Sequence, residues 1–194
     1  TIYLTEGTFS PDSTGEIFPI ILISNINLIG QGEALTILDA EQTAQVLLFE
    51  NVYNTSIESL TITGGITPTV IYDYYGYEST ADESGGGMSL IYSNPTLSHV
   101  TLTENWAGDS GGGMYLYHSN PTLTHVIFSE NTSGSSGGGM RIDYSSYPTL
   151  SHVSFTNNIS RNGGGICLID SSPTLTYVTF SENMAERSGG GMNI

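Results

Sequence analysis

The chain has no lysine. Its basic side chains are Arg141, Arg161 and Arg187, set against 19 acidic residues, for a formal net charge of −16 over 194 residues. Duplex nucleic acid is held chiefly by cations that neutralise phosphates, and three arginines cannot supply that footprint, so no nucleic-acid partner is expected. Anionic membranes and acidic polysaccharides are disfavoured by the same field, which suits a neutral or cationic partner or one bridged by divalent ions. Cysteine is reduced to Cys167 alone, which excludes an intramolecular disulfide. Long apolar runs are missing too. The longest, Ile20 to Ile23, is far short of a membrane-spanning helix, and no membrane insertion is expected. No segment reads as a signal peptide, and the chain opens at Thr1, which suggests a removed leader or a piece of a longer polypeptide.

Glycine is abundant instead, and it is periodic. The triplet Gly-Gly-Gly begins at positions 85, 111, 137, 163 and 189, always 26 residues apart, and is followed by Met88, Met114, Met140, Ile166 and Met192. Prolines recur at Pro95, Pro121, Pro148 and Pro173, and each unit reads P-T-L-x-H/Y-V-x-L/F-x-x-N up to Asn105, Asn131, Asn158 and Asn183. Repeats of 20–50 residues signal a solenoid. Each unit offers short alternating runs (Met88-x-Leu90, then Leu97 and Val100-x-Leu102), which have strand periodicity and no 3.6-residue pattern. Coiling the chain stacks each strand on its copy one turn earlier, parallel and in register, at about 4.8 Å per coil. The fold expected is a right-handed parallel β-helix of about seven coils.

Stacking converts repeats into columns. Met88, Met114, Met140, Ile166 and Met192 fill one interior column; Leu90, Leu116, Ile142 and Leu168 a second; Leu102, Phe128, Phe155 and Phe180 a third. Asn105, Asn131, Asn158 and Asn183 fit an inward ladder in which each amide bonds the next. The competing use of Asn131 and Asn158, which lie in N-x-S/T sequons, is glycosylation, for which Asn54 is the more accessible candidate. Ser89, Tyr115, Arg141, Cys167 and Asn193 alternate with the inward residues and are expected to face solvent.

The whole chain reads as one domain in three stretches: irregular opening coils over 1–65, an insertion over 66–84, and regular coils over 85–194. Runs Ile20–Ile29, Leu35–Leu38, Val46–Phe49 and Ile57–Ile62 read as strands of the opening coils, with Ile62 equivalent to Leu102. The insertion is rich in tyrosine and acid, including Tyr72, Tyr74, Tyr75 and Tyr77.

The pairing of Gly-Gly-Gly-Met with Phe128-Ser-Glu-Asn131, Phe155-Thr-Asn-Asn158 and Phe180-Ser-Glu-Asn183 resembles the repeats of chlamydial polymorphic outer-membrane proteins, which carry G-G-A-I and F-x-x-N motifs. The stretch from Asn27 to Gly32, continuing through Leu60 to Gly65, is similar to the opening coils of bacterial pectate-lyase-like β-helix proteins, and Thr1 to Phe9 looks like their first strand. The resemblance implies an extracellular or cell-surface protein of bacterial origin. It implies little about activity, because the fold hosts lyases, hydrolases, adhesins and passive stalks.

Catalytic chemistry finds little purchase. Lyases of this fold use an arginine or lysine base beside calcium-binding aspartates; here Arg161 and Arg187 fall in expected turns, and only Arg141 sits on a strand, with Asp143 on its face. Asp143 and Asp170 occupy neighbouring coils but differ by one repeat position, which is unsuited to an acid–base pair. His99, His125 and His152 form a column ending in Tyr177 and read as stacked bend residues rather than metal ligands. The glycine triplet lacks the Gly-Lys-Ser/Thr ending of a phosphate loop and the aspartate of a calcium nonapeptide. No enzyme and no obligatory cofactor is expected. Weak calcium binding is the one cofactor entertained, at Glu104 and Glu130, which repeat one coil apart with Glu182 beyond them.

Aromatic residues carry the remaining functional signal. Tyr72, Tyr74, Tyr75 and Tyr77 in the insertion, Trp106 in the equivalent turn of the next coil, and Tyr92, Tyr115, Tyr117 and Tyr144 after the glycine triplets are expected to line one flank, either as an ordinary loop whose tyrosines cover the coil edge or as a recognition surface for sugar or protein. Two function classes follow. One is a structural element, whose uncapped ends fit either further coils of a longer polypeptide or head-to-tail association into filaments. The other is an adhesin-like binding module.

Overall fold

The computed structural model describes residues 1–67 and 83–194. Among the described residues every regular element is a β-strand, and no helix is long and apolar enough to cross a membrane. The strands form three parallel sheets that wrap the long axis of a solenoid. The first sheet has eleven strands, its central members being Ser56–Thr63, Thr96–Thr103 and Thr122–Ser129. The second has seven strands, including Met88–Ile91, Met114–Tyr117, Met140–Asp143 and Ile166–Ile169. The third is a ribbon of five short strands: Ile66–Thr67, Trp106–Ala107, Thr132–Ser133, Ile159–Asn162 and Met184–Ser188.

The register is that of the repeat. Met114 pairs with Met88 and Met140, Met140 with Ile166, and Ile166 with Met192, while Leu47 continues the column toward the N-terminus. Ile62, Leu102, Phe128, Phe155 and Phe180 form the expected column, and the rings of Phe128 and Phe155 stack at 4.7 Å. Most of these side chains are fully buried, and each contributes about 1.5–3 kcal/mol of apolar transfer free energy.

Single left-handed residues bend the chain, and the first set of them lies within the first sheet. His99, His125, His152 and Tyr177 all adopt left-handed backbone conformations, with φ of 51, 52, 54 and 52°. The pairing skips them, running Ser98↔Thr124 and then Val100↔Val126. This extra residue places Leu97, Val100 and Leu102 all inside despite their uneven spacing. The bend residues point outward as a ring stack, with centroids 4.9 Å apart from His99 to His125 and from His125 to His152. A second left-handed column, Gly64, Glu104, Glu130, Asn157 and Glu182, turns the chain toward the third sheet.

The residue after each of these last bends points inward. Asn105 Nδ2 donates to Asn131 Oδ1 at 3.1 Å, Asn131 Nδ2 to Asn158 Oδ1 at 3.0 Å, and Asn158 Nδ2 to Asn183 Oδ1 at 2.9 Å. The second amide hydrogen of each reaches back to a main-chain carbonyl, that of Asn131 to Leu102 at 2.9 Å. Asn131 and Asn158 are wholly buried with both amide hydrogens engaged, so their sequons are interior positions. Asn54 is exposed, at a left-handed bend of its own.

The glycine triplet closes the coil for two separate reasons. Its first residue needs positive φ, 67° at Gly111. Its third lies against the next coil: a Cβ on Gly113 would meet the Gly139 carbonyl oxygen at 2.7 Å and the Phe128 ring at 2.9 Å.

Three expectations are corrected here. Arg161 and Arg187 lie on strands of the third sheet rather than in turns. That ribbon pairs one to three residues per coil and carries a register shift near Ser160, too short a signal for periodicity to register. The insertion is narrower than 66–84, because Ile66 and Thr67 pair with Trp106 and Ala107, and the Asp109 amide donates to the Glu83 carbonyl. The outward column of the second sheet is not solvent-facing: Ser89, Arg141 and Cys167 are buried, and Tyr115 is half-buried.

The ladder predicts a graded response. Asn131→Leu orphans the Asn105 amide groups and the Leu102 carbonyl, at about 1–3 kcal/mol for each buried unpaired group, and should lower the unfolding midpoint well below that of Asn183→Leu, whose site is half-exposed. Met114→Asp should prevent cooperative folding altogether by burying an unpaired charge. Thermal and denaturant unfolding measure all three; equal losses at Asn131 and Asn183 would refute the ladder's part in holding the stack.

Candidate functional site

The outer face of the second sheet presents two neighbouring columns. One holds Ser89, Tyr115, Arg141, Cys167 and Asn193, and the other Ile91, Tyr117, Asp143 and Ile169. Together with the turn ahead of the glycine triplet and the bend after the strand, they enclose a groove of about 450 Å³. Its described walls are Ser84, Ile91, Asp109, Tyr115, Tyr117, Asp143 and Tyr144.

Arg141 forms the floor beside it. Its Nε donates to Asp143 Oδ1 at 2.5 Å and its Nη1 to Cys167 Sγ at 3.1 Å, and both members of the ion pair are buried. Burial of a paired charge is tolerable where its remaining donors are satisfied, and the arginine stem covers apolar surface as it passes. Burial pushes the Asp143 carboxyl above the ordinary carboxylate range, while Arg141 and a hydrogen bond from Tyr115 pull the other way. The Tyr115 phenol is raised above its ordinary 10.0, first by burial and then by the negative charge of Asp143. The thiol of Cys167 has no exposed approach, being also within reach of Asn193 Nδ2 at 3.6 Å.

The rim is aromatic. Tyr92, His118 and Tyr144 occupy the left-handed bend that follows each strand of the second sheet, with φ of 49, 48 and 45°. The Tyr92 ring stacks on His118 at 5.0 Å, and Tyr117 meets His118 edge-on at 4.5 Å and Tyr144 at 5.5 Å. Tyr92 and Tyr144 remain about half exposed, so ring surface stays open to a ligand.

Of the aromatic residues singled out from sequence, Tyr115, Tyr117 and Tyr144 line this groove and Tyr92 stands at its rim. Trp106 does not line it; it sits half-buried on the third sheet, between Ile66 and Thr132 in its column. Tyr72, Tyr74, Tyr75 and Tyr77 lie outside the described residues. Glu104 and Glu130 occupy exposed bend positions, and among the described residues no group of three or more His, Cys, Asp or Glu side chains converges as a metal site. Asp143 and Asp170 are indeed out of step, since Asp143 pairs with Ile169.

Sequence reasoning passed over Asp109 and His118. Asp109 stands two residues before its glycine triplet, in a series that runs Glu83, Asp109, Ser135, Arg161, Arg187 and changes from acid to base along the axis. A second polar ladder was legible in the same way. Ser93, Ser119, Ser146 and Ser171 each precede a proline by two residues, and Ser119 Oγ accepts from the Ser93 amide at 3.0 Å, as Ser146 Oγ does from Ser119.

Parallel coils, inward ladders and a groove on one outer face define a β-solenoid with a lateral groove. The right-handed β-helix region family model matches residues 45–194, and the chain belongs to that family. No curated protein and no solved structure matches the chain.

Two measurements probe the floor of the groove. Arg141→Leu leaves Asp143 buried without its partner and should cost about 3–5 kcal/mol, most of it recovered in the Arg141→Leu/Asp143→Leu double variant. The Tyr115 phenol keeps its proton in the folded state at pH values where the unfolded chain has lost it. The stability it contributes is therefore complete below pH 10.0 and is lost as pH rises past that value. The stability advantage of the wild type over Tyr115→Phe should shrink through this alkaline window in denaturant titrations; a constant difference would show that Tyr115 titrates alike in both states.

Proposed function

We propose that the chain is a non-enzymatic β-helix binding module of an extracellular or bacterial cell-surface protein, and that the groove on its second sheet takes a neutral oligosaccharide. The observation that carries this reading is the convergence of Tyr115, Tyr117, Tyr144 and Asp109 on one groove of about 450 Å³, within the usual range for small-molecule sites. Tyrosine rings offer apolar faces to sugar rings and hydroxyls to their edges. Asp109 accepts from sugar hydroxyls, and with Asp143 it disfavours acidic glycans, as does the net charge of −16.

Binding rather than turnover is favoured because Asp143, the carboxylate deepest in the groove, already accepts from Arg141 and Tyr115. The solenoid supports the role as a rigid spacer: the rings are fixed by their bends before any ligand arrives, which lowers the ordering cost of binding. A structural function and a binding function are then one and the same object.

Calorimetry and glycan arrays test the proposal. Neutral oligosaccharides should bind and oligogalacturonate should not, and Tyr117→Ala/Tyr144→Ala should weaken binding by about tenfold or more, roughly 1.4 kcal/mol, with little change in melting temperature. Folded protein that binds no neutral glycan would end this reading, and release of cleavage products abolished by Asp143→Asn would replace it with a hydrolase or lyase.

A further inference from the structure

The outer face of the first sheet carries a feature that the groove does not use. In the four regular coils its outward positions form four columns in register: Thr96, Thr122, Thr149 and Thr174; Ser98, Thr124, Ser151 and Thr176; Thr101, Ile127, Ser154 and Thr179; and Thr103, Ser129, Thr156 and Ser181. Fifteen of these sixteen positions bear a hydroxyl, Ile127 is the exception, and none is charged, in a chain whose net charge is −16. The Thr96 column is exposed in every coil.

The array is regular in two directions. Along the axis the repeat is one coil, given by the His99–His125 and His125–His152 ring spacings of 4.9 Å. Across the strand, outward residues two apart are separated by about 6.6 Å. The hydroxyls are held in place as well as evenly spaced. Threonine is stiff at χ1 in a strand, and neighbouring coils tie some hydroxyls together, Ser129 to Thr103 at 2.9 Å and Thr156 to Ser181 at 3.0 Å. The His99 column divides the array into two strips, each two hydroxyls wide.

Apart from Thr101, whose hydroxyl donates to the Glu33 carboxylate at 3.2 Å, this periodic set of uncharged hydroxyls matches a partner whose own donors and acceptors repeat on a lattice. Nucleic acid and acidic surfaces are excluded by the absence of cations on the face. A second copy of the chain would need an apolar centre to its interface, and the face offers Ile127 alone. Crystalline polysaccharide is gripped through open aromatic faces, whereas the rings on this ridge are stacked against one another and present only their edges. Ordered water remains. Each hydroxyl both donates and accepts, as each lattice water does, and threonine methyls fill the spaces between without imposing the hydration shell of an ion.

We propose that this face adsorbs to the surface of ice, through the Thr96-x-Ser98, Thr122-x-Thr124, Thr149-x-Ser151 and Thr174-x-Thr176 strip and its neighbour across the histidine ridge. The site is on a different sheet from the groove, so it stands or falls independently of glycan binding.

Ice recrystallisation under the microscope tests it, using the full chain, Thr122→Lys/Thr149→Lys, the gentler Thr122→Val/Thr149→Val, and Tyr117→Ala/Tyr144→Ala. The wild type and the tyrosine variant should slow the growth of ice grains and facet single crystals. The lysine variant should lose both effects, and the valine variant should lose part of them, with circular dichroism and melting temperatures unchanged. Grain growth unaffected by folded wild type overturns the proposal, as does undiminished activity in the lysine variant. Sedimentation as a dimer that the lysine variant abolishes, or binding to crystalline cellulose that it abolishes, would reassign the face to a second copy or to polysaccharide.

Discussion

Most residues in the regular strands of this molecule meet their own equivalents in neighbouring coils, as the His99 and His125 rings do at 4.9 Å. Self-stacking of that kind filters what each position can hold. Apolar side chains satisfy it at once, which gives the columns of Met114 and Phe128. Among polar groups, a side chain that donates and accepts at the same time can repeat without end, which is why the interior ladders are asparagine and serine and not aspartate or lysine. Like charges one coil apart repel, which suits Glu104 and Glu130 to exposed bends and pairs Asp143 with the opposite charge of Arg141.

The bends extend the same logic. A left-handed residue at Glu104 and at His118 redirects the chain as it leaves a sheet, and one at His99 bends the strand within the first sheet. Non-glycine residues in this region carry strain of order 1–3 kcal/mol each, and the stacking of neighbouring coils offsets it. The bend residues point outward and decorate ridges, one within the first sheet and others where the chain leaves a sheet. One ridge became a histidine stack, and another supplied the aromatic rim of the groove.

This explains what could be read from sequence. Positions that recur with period 26 report the interior directly, because identical residues on successive coils must share an environment; the methionine, phenylalanine and asparagine columns were visible for that reason. The groove was only half visible. Alternation along Met114–Tyr117 places Tyr115 outside the sheet, but what then covers it comes from Asp109 in a turn, from Asp143 one coil on and from the arginine between, and strand periodicity encodes none of these. Arg141 and Cys167 look solvent-facing by pattern and are buried by their neighbours. Trp106 was grouped with the tyrosines by proximity in the chain, although the glycine triplet that separates them turns it onto another sheet.

The junction at Thr67 and Glu83 shows how little a coil cares about what lies between its ends. Thr67 Oγ1 donates to the Glu83 carbonyl at 2.7 Å, and the strand pairings on either side continue in register. Closing a longer excursion at such a clasp adds only a logarithmic entropic cost, about 0.6 kcal/mol for each doubling of length. The clasp acts as a socket: it ties the two ends together, so the length of chain between them can vary while the coils on either side keep their register.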